Sequence, residues 1–209
     1  MRQRGLGKIV IISSPSGGGK TSICRRLLSP ARRRQGWTFS ISYTTRAKRR
    51  GERNGREYVF IGEDRFRKLV RRGFFAEHFK VHLYRYGTPR KPIEKIRRRG
   101  GVMVFDVDVQ GAGKLKREYP DAISIFVLPP SQAELRRRLK RRGTETSDQV
   151  RLRLINALQE MNSFRSYGFD YVVVNKKLDV AVREVLSIIE AHVCRLDQSD
   201  PEQLRRITG

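Results

Sequence analysis

Short apolar runs alternate along the chain with longer segments whose apolar residues recur every three or four positions. The run from Lys8 through Ile9, Val10, Ile11 and Ile12 has no polar alternation, as expected of a strand covered on both faces of a parallel sheet. The same character marks 101–105, 122–128 and 171–174, and helical spacing follows each run, at 21–28, 110–119, 131–142 and 179–195. Strands and helices in that order predict βαβ units and hence an α/β fold. Two stretches break the rhythm. From Phe39 to Thr88, aromatics, turn residues and alternation (Thr38 to Tyr43, Tyr58 to Ile61) predict a small antiparallel-sheet insertion. Between Leu139 and Gly168, a long amphipathic helix with Leu152, Leu154, Ile155, Leu158 and Met161 on or near one face reads as an excursion from the core. The polar end, 198–209, is expected to fray.

Composition narrows the class. A chain of 209 residues fits one α/β domain with inserted subdomains, and 38% hydrophobic with 9% aromatic residues argues against disorder. No uncharged apolar run approaches the roughly 20 residues of a membrane span, and the charged start lacks a small-residue cleavage site. Cys24 and Cys194 have no Cys or His neighbour at metal-ligand spacing, which makes a reduced, cytoplasmic protein the expectation. Against 21 Asp+Glu stand 46 Lys+Arg, a net charge of +25 and a pI near 11.2. That excess points to phosphate-bearing partners without separating a nucleotide from a nucleic acid or a membrane surface.

The chemistry concentrates between the first strand and the first helix. Ser14, Pro15, Ser16, Gly17, Gly18, Gly19, Lys20 and Thr21 form a phosphate-loop string in strand–turn–helix context. Its glycines let backbone N–H groups converge on phosphate oxygens at a positive helix N-terminus. Lys20 would reach the β and γ phosphates and the Thr21 hydroxyl would ligate Mg²⁺; Ser14 stands where the full pattern has Gly. A second apolar strand ends in Asp106, with Asp108 two residues on. Such a carboxylate lies near metal and phosphates in phosphate-loop proteins; alternatively both aspartates cap the turn before Gln110.

Further motifs carry a family resemblance: Ser42, Tyr43, Thr44, Thr45, Arg46 and Arg49; Gly51 to Tyr58; Phe75, Ala76, Glu77, His78; Tyr86, Gly87, Thr88; and Arg142 to Thr146. With the phosphate loop and 106–111, these strings resemble the guanylate kinase family, in order from Lys8 to Val193. The resemblance implies a P-loop nucleoside-monophosphate-kinase fold, a central parallel sheet flanked by helices. Its core would comprise 1–38, 89–138 and 169–197, with a small mixed α/β GMP-binding insertion at 39–88, a helical lid at 139–168 and a flexible tail at 198–209. It further implies Mg²⁺-dependent transfer of the ATP γ-phosphoryl group to GMP, and to dGMP, in purine nucleotide metabolism.

Site roles follow residue by residue. A guanine edge presents the O6 acceptor beside N1–H and N2–H₂ donors, which suits the hydroxyls of Ser42 and Thr88 and the carboxylate of Glu77. By resemblance these three recognise the base, with Asp108 a further acceptor. Arg46, Arg49, Tyr58 and Tyr86 would grip the GMP phosphate, Arg because its planar fork bonds phosphate bidentately. Arg138, Arg142 and Arg153 would close from the lid on the transferring group, alongside Lys20 and Asp106, and Asn175 would sit near adenine. The register of the lid arginines stays open, because Arg136, Arg137 and Arg141 are neighbours. None of His78, His82 and His192 has a nucleophile partner readable from sequence, and none is required, since a phosphate with second pKa near 6 is already an oxyanion at neutral pH. Leu83 stands where the family commonly has Gly, which leaves the turn before Tyr84 and with it the placement of Tyr86 open, and Lys48 stands where the family often has Pro, which should only loosen the loop between Arg46 and Arg49.

Three rival readings remain at this level. A non-catalytic guanylate-kinase-like module that binds phosphoprotein would typically lack the loop lysine, which is present as Lys20. A nucleic-acid binder would use arginine strings at 32–34, 97–99 and 136–142, set beside helical leucines or in loops, yet no aromatics interleave with them. A related small-molecule kinase would take another acceptor.

Overall fold

A computed structural model describes residues 7–49, 51–81, 83–140, 147–195 and 205. Arg142 and nearly all of the polar end lie outside these residues. Five parallel strands form the central sheet: β1 (Lys8–Ser13), β2 (Trp37–Phe39), β7 (Val102–Asp106), β8 (Ile123–Leu128) and β9 (Tyr171–Val174), in the order β2-β7-β1-β8-β9. Every residue of β1 is buried, as its unbroken apolar run requires. Its side chains alternate between two cores. Val10 and Ile12 meet Ile23 and Leu27 of α1 (Lys20–Leu27) and Val185 and Ile189 of α8 (Leu178–Val193), whereas Ile9 and Ile11 meet Ile93 of α4 (Arg90–Arg99) and Leu115 of α5 (Val109–Glu118). Helices thus cover both faces, and the loops after β1 and β7 open at the carboxyl edge, where ligands bind in such sheets.

A second sheet, β4-β3-β6-β5, is built from β3 (Tyr43–Thr44), β4 (Val59–Phe60), β5 (Phe75–Val81) and β6 (Tyr84–Pro89), with α3 (Glu63–Arg71) beside it. It is mixed: β3 runs parallel to β4 and antiparallel to β6. Thr38 and Phe39, which open the alternating run assigned to this insertion, instead form with Trp37 a strand that pairs in parallel with Val102 to Val104 at the edge of the central sheet. Leu83 projects from the β5–β6 turn at 80% exposure, and the strands stay paired from Glu77↔Thr88 to Val81↔Tyr84, so Tyr86 is fixed without a turn glycine.

Helix α6 (Gln132–Lys140) packs on α7 (Ser147–Ser163) through Leu135, Leu139, Ala157, Leu154 and Met161. Leu152 and Ile155 do not join that contact and are 59% and 45% exposed. The strings 32–34 and 97–99 are helical rather than loops, closing α2 (Pro30–Arg34) and α4. Arg32 lies 5.9 Å over the Trp37 ring and Arg97 pairs with Asp121 at 3.0 Å. Among the described residues, no helix is long and apolar enough to cross a membrane.

Candidate active site

A cleft of about 960 Å³ opens between the central sheet and the insertion, with Lys20, Thr21 and Asp106 at one end and Ser42, Arg46, Arg49, Tyr58 and Tyr86 along it. The phosphate loop leaves β1 and turns into α1 at Gly19, whose φ is +97°. A Cβ there would stand 2.1 Å from Asn175 Nδ2, so only glycine allows this approach. Asn175 is 5% exposed and spends its amide on Gly18 O at 2.9 Å; in this structure it anchors the loop. Arg138 completes the brace, donating to Asn175 O at 2.9 Å while Glu134, one turn back in α6, holds its Nε at 2.7 Å.

Lys20 forms an ion pair with Asp106 and donates to Val107 O at 3.0 Å. Burial alone would lower its pKa, but the Asp106 carboxylate overrides that and holds the ammonium above its ordinary value. The other Asp106 oxygen accepts from Thr21 Oγ1 at 3.0 Å. The two aspartates therefore divide their work. Asp106 serves the phosphate loop, while Asp108 caps α5 by accepting the Gly111 N–H at 2.8 Å. Among the described residues no group of three or more His, Cys, Asp or Glu could hold a metal by itself.

At the insertion, Arg46 is 8% exposed and places Nη2 on both oxygens of Glu52, at 2.7 and 3.0 Å, with its guanidinium 5.7 Å from the Tyr58 ring centroid. Glu52 also accepts the Arg49 N–H at 2.7 Å. Tyr58 stands edge-on to Tyr86 at 5.8 Å, and Tyr86 stacks on Phe79 at the same distance, so both tyrosines are packed aromatics that also line the cleft. Behind them β5 and β6 bring Glu77 opposite Thr88. Thr88 Oγ1 donates to Glu77 Oε1 at 2.5 Å and lies 3.1 Å from Ser42 Oγ. Glu77 Oε2 is buried and meets no donor among the described residues. Burial, with nearby Asp108, pushes the Glu77 pKa up to about 7 against the Thr88 hydrogen bond.

Of the residues singled out from the sequence, Lys20, Thr21, Asp106, Ser42, Arg46, Arg49, Tyr58 and Tyr86 line one cleft, whereas Glu77, Thr88, Asp108, Asn175, Arg138 and Arg153 are not in its lining. Arg142 lies outside the described residues, and Arg153 approaches the loop at Ser16 Oγ, 2.7 Å from Nη2. Sequence reasoning passed over three carboxylates that hold the arginines or the loop: Glu52, Glu134 and Glu160, the last accepting the Ser16 N–H at 3.3 Å. Only Glu134 had a readable signal, its four-residue spacing from Arg138 on one helix.

A family model described as guanylate kinase matches residues 6–192. A guanylate kinase of Caldanaerobacter subterraneus subsp. tengcongensis is 39% identical over 193 residues, 92% of this chain and 91% of that protein. One from Syntrophotalea carbinolica is 44% identical over 191 residues, 90% of this chain and 88% of its own length. The crystal structure of guanylate kinase from Anaplasma phagocytophilum superposes with a TM-score of 0.77 at 30% identity, covering 95% of this chain and 93% of that one.

Proposed function

Since this chain belongs to the guanylate kinase family of nucleoside monophosphate kinases, we propose that it transfers the γ-phosphoryl group of ATP to GMP, giving ADP and GDP. One observation carries the choice of acceptor: the row formed by half-buried Ser42, which lines the cleft, and buried Thr88 and Glu77 behind it, with a carboxylate oxygen left without a donor among the described residues, in a cleft whose other end is a phosphate loop. Guanine supplies the N1–H and N2–H₂ donors that row lacks. Adenine would set a ring-nitrogen lone pair against Glu77, and buried polar mismatch discriminates strongly.

In this reading, residues 39–88 hold the acceptor and 139–168 form the lid. Arg46 and Arg49, with the Tyr58 and Tyr86 hydroxyls, take the GMP phosphate, while the loop amides and Lys20 take the ATP phosphates. Arg138 and Arg153 reach the loop from α6 and α7 and meet charge as it builds on the transferring group. The acceptor phosphate is already an oxyanion, so these residues align it, screen the repulsion between the two nucleotides and exclude water. The Thr21 hydroxyl and Asp106 carboxylate are hard oxygen donors 3.0 Å apart, a pair that suits Mg²⁺. Bound there with nucleotide phosphates, Mg²⁺ would neutralise their oxygens.

Coupled release of ADP on addition of GMP, dGMP, AMP, UMP or CMP tests the assignment. Turnover with the guanine nucleotides and not with AMP is expected. Equal use of AMP would overturn the acceptor, and binding of both ligands without turnover would make the chain a phosphate-binding module.

A further inference from the structure

Helix α7 meets the phosphate loop at Ser16 from two sides. The hydroxyl accepts from Arg153, Nη2 at 2.7 Å and Nε at 3.2 Å, and the backbone N–H donates to Glu160 Oε2 at 3.3 Å. Arg153 and Glu160 stand seven residues apart, two helical turns, and so project from one face of α7. Ala157 lies between them on that face, buried against Leu135 and Leu139 of α6.

A carboxylate is a costly choice at this point. Lys20 and Asp108 are both within its electrostatic reach, burial raises its pKa, and ATP phosphates are to arrive on the same loop. A neutral side chain would avoid the repulsion. What the carboxylate supplies instead is a charged acceptor for a backbone N–H, at a long 3.3 Å. Among the described residues, α6 and α7 meet through a small apolar cluster, Leu135, Leu139 and Ala157 with Leu154 and Met161. Apolar contact is non-directional, so it sets proximity but not the rotation or register of α7. A hydrogen bond from a fixed loop amide sets both.

We propose that Glu160 is a positioning residue for phosphoryl transfer: by accepting the Ser16 N–H it seats α7 on the phosphate loop in the register that brings the Arg153 guanidinium against the loop. The proposal rests on the kinase reading above for its consequence in turnover, but not for the seating itself. Glu160 acts through Arg153, and the loss of either should therefore remove the same contribution.

The test is a double-mutant cycle with Glu160→Ala, Glu160→Gln, Arg153→Ala and the pair Glu160→Ala with Arg153→Ala. Glu160→Ala should lower kcat about tenfold or more, the scale of a small misplacement of a charged group, with KM for GMP unchanged. Glu160→Gln, whose carboxamide oxygen still accepts an N–H, should recover most of that loss. In the Arg153→Ala background, Glu160→Ala should add almost nothing. Additive losses, wild-type kcat in Glu160→Ala, or tighter ATP binding with kcat maintained in either Glu160 variant would overturn the proposal. Amide hydrogen exchange gives a readout that does not depend on turnover. Glu160→Ala should lower protection across 147–163 while Tm holds, Glu160→Gln should not, and unchanged protection in Glu160→Ala would equally overturn it. A wild-type protein that fails to phosphorylate GMP would refute the kinase reading and leave this exchange test decisive for the seating.

Discussion

The Arg46 guanidinium lies across both oxygens of Glu52, at 2.7 and 3.0 Å, and the same carboxylate accepts the Arg49 N–H at 2.7 Å. One acid therefore sets the direction of one of the two arginines proposed to grip the GMP phosphate and the backbone of the other. Arginine loses several rotatable bonds on binding, and a fork already fixed by a bidentate partner loses less. Glu52→Ala should raise KM for GMP about tenfold or more, a cost of about 1.4 kcal/mol or above, with KM for ATP unchanged. Initial-rate kinetics with each nucleotide varied in turn measures both.

In the proposed role of Glu77 as acceptor for guanine, acceptor binding depends on pH. Its carboxyl is raised from the ordinary 4.5 to about 7, so below neutrality it carries a proton where guanine N1–H needs an acceptor. KM for GMP should climb as pH falls from about 8 to 6, by up to about tenfold per pH unit below the pKa, while KM for ATP stays flatter. Stability follows the opposite course. The folded protein binds this proton more tightly than the unfolded chain, so the contribution is complete below about pH 4.5 and is lost as pH rises through about 7. The loss has an upper bound of about 3 kcal/mol. Denaturant titrations at several pH values should show that slope in the wild type, and Glu77→Gln should flatten it while abolishing GMP use.

Gly19 and Gly168 separate backbone strain from steric exclusion. Both have positive φ, +97° and +65°, but a Cβ at Gly19 would meet Asn175 Nδ2 at 2.1 Å whereas one at Gly168 meets nothing within 4 Å. Gly168→Ala should cost about 1 kcal/mol of stability and leave turnover intact. Gly19→Ala must also displace Asn175 from Gly18 O, and should weaken ATP binding by about tenfold or more. Thermal unfolding and nucleotide titration of the two variants give the comparison.

The inner strands of the central sheet were legible because they are buried on both faces and so are written as unbroken apolar runs, and β1, β7 and β8 lie within a residue or two of where those runs put them. Strand β9 also falls where its run put it, but it is an edge strand that leaves Val172 and Val174 exposed on one face, not the doubly covered strand its apolar run suggested. Strand β2 was not legible, since Trp37, Thr38 and Phe39 form a three-residue edge whose half-buried alternation looks the same in either sheet. Helix α2 was hidden too: Ser29 and Pro30 read as the stop of one helix, and they are also the N-cap and first residue of the next. In the candidate site, residues of unusual type in short strings, such as Lys20, Arg46 and Glu77, could be singled out from sequence. The acids that orient them were not, because Glu52 and Glu160 touch their partners through loop geometry and a distance of 144 residues that no local spacing encodes.

Register in the lid arginines, ambiguous among Arg136, Arg137 and Arg138 in sequence, has a geometric answer that kinetics can check. Glu134 binds two of them, but Arg137 is 67% exposed while Arg138 is 21% exposed and turns inward to Asn175 O at 2.9 Å. An exposed i,i+3 pair is worth little, so Arg137→Ala should change kcat less than about twofold. Arg138→Ala removes a cation that faces the loop and should lower kcat by about a hundredfold or more. Glu134→Ala should fall between the two, because Arg138 keeps its charge and its Asn175 contact but loses the carboxylate that fixes its Nε at 2.7 Å. If Arg137→Ala proves the more damaging variant, the inward guanidinium is not the one that meets the transferring group, and the catalytic register of α6 shifts by one residue.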